Sequence, residues 1–79
     1  MENLFQKLEE IEHKKEHLKP NELVYVEIQT VFNDSYSADI KDFWNHPEEK
    51  LIHFHCSWGY RDIDYEDIRK ISYHSEILY

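Results

Sequence analysis

From Asn3 onward the apolar residues recur at helical spacing. Leu4, Leu8, Ile11 and Leu18 fall on one face, and Asn3 followed three residues later by Gln6 resembles a helix N-terminal box. The spacing predicts a helix over 3–19, stopped by Pro20. Its charge order agrees, with Glu2, Glu9, Glu10 and Glu12 towards the positive end and Lys14, Lys15, His17 and Lys19 towards the negative end. The apolar stripe is narrow, so the helix is expected to lie across the rest of the domain or a partner. After Pro20 the period changes to two. Val24, Val26, Ile28, Thr30 and Phe32 alternate with Tyr25, Glu27, Gln29 and Val31, the pattern of a long half-buried strand. Asn33-Asp34-Ser35 supplies a turn, and Tyr36, Ala38 and Ile40 open a second strand whose other face carries Ser37, Asp39 and Lys41.

Asn45-His46-Pro47-Glu48-Glu49 reads as the next turn. Ile52, Phe54, Cys56 and Trp58 then alternate with His53, His55 and Ser57 in a third strand. Gly59, the sole glycine, stands where a strand bends or turns back, since glycine alone reaches positive φ without steric cost. Tyr60, Asp62 and Asp64 alternate with Arg61, Ile63 and Tyr65 in a fourth strand, Glu66-Asp67-Ile68 makes a tight turn, and Ile71, Tyr73 and Ile77 mark a fifth. The fold class is α+β, mainly β: an N-terminal helix followed by a five-stranded, antiparallel, strongly bent sheet or small barrel. One domain is expected over 1–79, with 3–19 helical and 23–79 β, and no internal repeat or linker is visible.

This order of elements resembles the Sm-like (SH3-like) small barrels. The matching residues are Val24, Val26 and Ile28, then Ala38, Ile40 and Phe43, then Leu51, Ile52 and Phe54, and finally Tyr65, Ile68 and Ile71. Within that class the span from Leu23 to Tyr73 is similar to the YolD-like proteins of Bacillus-type bacteria and their phages, mostly through Ile63-Asp64-Tyr65-Glu66-Asp67-Ile68-Arg69-Lys70-Ile71. The resemblance implies a small bacterial or phage accessory or regulatory protein without a catalytic site.

Composition narrows the partners. The chain has 79 residues, enough for one small core, and 15% aromatic residues make up for a modest 41% apolar content. Cys56 is the only cysteine, which excludes an intrachain disulfide and paired-cysteine metal knuckles and fits a reducing cytoplasm. No apolar run approaches the roughly 18–20 residues of a membrane span, and Met1 to Lys7 lacks a basic stretch followed by an apolar one, so neither membrane nor signal segment is expected. The net charge of -8 repels phosphate backbones and anionic lipid, so direct nucleic-acid binding is not expected and a protein partner with a basic surface is.

His53-Phe54-His55-Cys56 is the one segment with the look of a site. On a strand His53 and His55 share a face about 7 Å apart, within reach of one zinc ion if His74 or Asp62 supplied a third ligand. Cys56 points the other way and no paired motif supports the set, so the expectation is two partly exposed histidines, a core cysteine, no metal and no cofactor. No nucleophile–base set, phosphate loop or carboxylate pair is recognisable, and no enzyme is expected.

The excess carboxylates, Asp34, Asp39, Asp42, Asp62, Asp64, Glu66 and Asp67, lie in the β part. They either keep the surface solvated or form an interaction surface; as a stripe they would imitate a phosphate backbone and inhibit a nuclease, repair or defence enzyme. Tyr36, Trp44, Trp58 and Tyr60 lie near turns, where rings anchor interfaces or finish a thin core. A homo-oligomer holding a small nucleotide is a further alternative, and it needs Arg61, Arg69 and Lys70 to converge on one pocket. The leading expectation is a non-enzymatic protein-interaction or regulatory module.

Overall fold

The computed structural model describes residues 3–78. One helix, α1 (Leu4–Glu16), precedes six strands: β1 (Glu22–Thr30), β2 (Ser35–Asp39), β3 (Phe43–His46), β4 (Leu51–Cys56), β5 (Gly59–Asp64) and β6 (Ile68–Ile77). They form two antiparallel three-stranded sheets, ordered β2-β1-β6 and β3-β4-β5. The mainly β, α+β class is as the periodicity predicts, but six strands in two sheets stand where five in one bent sheet or small barrel are expected.

Asn3 is the helix cap, its side-chain oxygen accepting from the backbone N–H of Phe5 and Gln6. The helix ends at Glu16, three residues short of the expected limit. His17 has already left helical geometry at φ -116° and ψ 27°, ahead of Pro20, which disfavours helix in the residue before it. Leu8 and Ile11 are fully buried, with Leu4 and Leu18 packed at the margin, so the narrow stripe docks into this domain's own core.

β1 is the central strand of the first sheet, pairing with β2 on one side and β6 on the other. Its inner residues Val24, Val26 and Ile28 are buried, and buried Thr30 organises the following turn by accepting from the N–H of Phe32 and Asp34. Phe32 lies beyond the strand and is 67% exposed, whereas its place in the alternation predicts an inward ring. Asn33 takes φ 67° in that turn, a conformation asparagine tolerates better than most residues.

The chain leaves the first sheet through a 3₁₀ turn, Ile40–Asp42, and returns through a second, Tyr65–Asp67. These crossings account for the miscounted strand. The expected strand over Tyr36–Lys41 stops at Asp39, whose carboxylate caps the Lys41 N–H at 2.9 Å. Asn45 and His46, expected in a turn, belong to β3, and the turn falls on residues 47–50. β3 has four residues with Phe43 alone buried, too little alternation to be read as a strand.

One apolar core joins the helix to both sheets. Phe43 and Phe54 stand opposite each other across β3 and β4, with Ile40, Ile52 and the inner residues of β1 around them. Each such fully buried side chain stabilises the fold by about 1.5–3 kcal/mol. Among the described residues Glu22 is the buried carboxylate. Lys14 lies 2.6 Å from its Oε2 and the Ser75 hydroxyl donates to the same oxygen, so α1, β1 and β6 meet at one charge. The Lys14 bond first, then that of Ser75, holds the Glu22 carboxyl down at about 2, below its usual 4.5. Among the described residues no helix is long and apolar enough to cross a membrane.

Candidate functional site

Alternation in the second sheet decides what solvent meets. Phe43, Ile52, Phe54 and Ile63 turn inward, which leaves Trp44 and His46 of β3, His53 and His55 of β4, and Tyr60, Asp62 and Asp64 of β5 on the outer face. Cross-strand register sets their neighbours: Trp44 and Asp62 stand opposite His53 on its two sides, and Tyr60 stands opposite His55.

The side chains form a continuous row. The His53 ring lies 5.3 Å from Tyr60 and nearly parallel to it, and 5.5 Å from Trp44; His55 lies 4.6 Å from Tyr60 and His46 lies 6.2 Å from His53. His53 Nδ1 is hydrogen-bonded to the Asp62 carboxylate, which fixes the imidazole between the two larger rings. Lys15 of α1 donates to the Phe43 carbonyl at 2.6 Å and sits 5.1 Å from the Trp44 ring centre, tying one end of the row to the helix. Beyond the other end, in the β4–β5 turn, Trp58 is 77% exposed beside Tyr60 at 63%. Gly59 closes that turn at φ +100°, a value that side-chain-bearing residues rarely adopt.

Of the four aromatic candidates, three therefore belong to this surface or its edge. Tyr36 does not: it is half-buried, packed on the core with its ring 5.5 Å from Phe54. The carboxylates divide as well. Asp62 and Asp64 are on the outer face of β5, with Glu66 and Asp67 in the 3₁₀ turn after it. Asp39 pairs with Tyr25 in the other sheet, Asp42 lies in the first 3₁₀ turn and Asp34 in the β1–β2 turn. They do not form a single strand-borne stripe.

The suggested metal ligands separate in the same way. His53 and His55 share the face, but His74 lies on β6 in the first sheet, 3.4 Å from Glu27, while Asp62 is engaged by His53. Among the described residues no three His, Cys, Asp or Glu side chains are placed to hold a metal ion. Cys56 is buried, its thiol donating to the Gly59 carbonyl at 3.4 Å. Neither His46 nor Lys15 announces its place on this face in the sequence pattern. His46 shares the parity of Trp44, which becomes visible once β3 is recognised as a strand.

A second feature lies elsewhere. A cleft of about 710 Å³ opens between the start of α1 and the start of β6, with Lys7, Arg69 and Lys70 among its walls and Tyr65 in its lining. Burial, reinforced by the charge of Glu12 and opposed by the bond to Asn45, raises the Tyr65 phenol above its usual 10. Arg61 is not at this cleft, since it lies on β5. Comparison with protein-family models, curated proteins and solved structures finds no match to this chain.

Proposed function

We propose that this protein is a non-enzymatic interaction module that engages a basic protein partner through the outer face of β3, β4 and β5. One observation carries the reading: Trp44, His53 and Tyr60 present an ordered row of rings beside Asp62 and Asp64, with Trp58 projecting at its edge. Rings supply contact area at small entropic cost, and adjacent carboxylates suit lysine or arginine. The net charge of -8 draws in the same partner and repels nucleic acid. The scatter of the acidic residues over both sheets and three turns favours this partner over an enzyme whose groove reads a phosphate-like stripe. The resemblance of Leu23 to Tyr73 to YolD-like proteins fits a bacterial or phage accessory role in the cytoplasm.

The test is affinity capture on the immobilised protein from a nuclease-treated bacterial lysate, followed by binding measurements on the captured partner. Binding is expected to weaken as salt rises and to fall about tenfold or more for Trp58→Ala combined with Tyr60→Ala, while Lys41→Gln has no such effect. Equal binding by all variants, or capture abolished by the nuclease, would overturn the reading.

A further inference from the structure

Net charge hides a local reversal of sign. Gln29 pairs with Lys70 and Thr30 with Ile68, which leaves Arg69 as the extra residue of a β-bulge. The flanking Ile68 and Ile71 both pack on the core, so the two consecutive basic residues between them are both exposed. An unbulged strand would send such neighbours to opposite faces. Lys7, one turn into α1, brings a third cation to the same cleft.

Arg69 and Lys70 are weakly committed, whereas the Lys7 ammonium is shared with Glu10, 3.4 Å away, and with the Tyr73 ring, whose centre lies 5.7 Å from its Nζ. Arg69 donates to Asn33 Oδ1 at 3.4 Å, and among the described residues Lys70 has no carboxylate partner. No carboxylate lines the cleft among the described residues, in a chain with 17 acidic residues and 9 basic ones. The start of α1 is capped by Asn3, so the attraction for an anion rests on the three side chains. Leu4, Tyr65 and Ile68 give the cleft an apolar wall, and 710 Å³ falls within the roughly 300–1,000 Å³ of small-molecule sites.

We propose that this cleft binds a small organic anion, with its apolar body on Leu4, Tyr65 and Ile68 and its carboxylate or phosphate held by Lys7, Arg69 and Lys70. The site shares no residue with the aromatic face, so it stands independently of the proposed partner. Amide-resolved NMR titration of the full chain with AMP and with naphthoate tests it, against adenosine and naphthamide as uncharged controls. Saturable shifts at Leu4, Lys7 and residues 68–71 are expected for one or both acids, and none for the controls. Arg69→Gln with Lys70→Gln should weaken binding about tenfold, while Lys19→Gln with Lys41→Gln, equal in charge change but outside the cleft lining, should leave it unchanged. The wild-type and variant spectra report folding in the same experiment. Absence of saturation with both acids, shifts centred on Trp44 to Tyr60, binding of the controls as tight as that of the acids, or equal weakening by the remote pair would overturn the proposal.

Discussion

At single residues, backbone geometry makes demands that composition does not announce. Lys50 ends the β3–β4 turn at φ 56°, and its carbonyl accepts from the Tyr65 N–H at 2.9 Å. Left-handed geometry costs a residue with a Cβ about 1–2 kcal/mol, partly returned when glycine raises the entropy of the unfolded chain. Lys50→Gly is therefore expected to stabilise the protein by about 1 kcal/mol, read as a higher urea midpoint with unchanged slope. Gly59 is the position where this demand was legible, because a lone glycine after a strand pattern signals it. Lysine gives no such signal. Phe32 misled for a related reason: alternation continues through Thr30 into the turn, but Asn33 bends the backbone there and leaves the ring outside.

Among elements, the long alternating runs of β1 and β4 and the capped helix were legible because each buries a regular set of side chains. β3 was not, being four residues behind a 3₁₀ turn. A signal for it does exist. Asp39-Ile40-Lys41-Asp42-Phe43 and Asp64-Tyr65-Glu66-Asp67-Ile68 share two aspartates three residues apart followed by an apolar residue, and both spans fold as an extended residue, a 3₁₀ turn and a new strand. The aromatic row depended on the same omission, since the place of Trp44 beside His53 follows from β3–β4 register. The joint between α1, β1 and β6 depends instead on Glu22, an unremarkable acid in sequence. Its carboxyl is lowered from 4.5 to about 2 in the fold, so the stabilisation is complete above about pH 4.5 and lost as pH falls towards 2. Glu22→Gln should lower the urea midpoint at pH 7 more than Glu66→Gln does, with the difference from wild type closing over that acid range.

For the whole molecule, the order of strand pairing has a consequence for how the protein is made. β1 can pair with β2 as soon as the intervening turn exists, but its other edge is completed by β6, with Glu22 opposite Ile77 at the far end of the β region. Closing so distant a contact carries a loop-entropy cost before it returns any stabilisation, which slows folding. A chain cut after Asp67 is expected to lose the dispersed amide spectrum and to sediment as aggregate, whereas a cut after Ile77, where the β1–β6 register ends, should leave the fold intact. Until β6 is in place, Val24, Val26 and Ile28 lie along a strand with an open edge, so during synthesis the first half of the domain is the segment most in need of protection from other nascent chains.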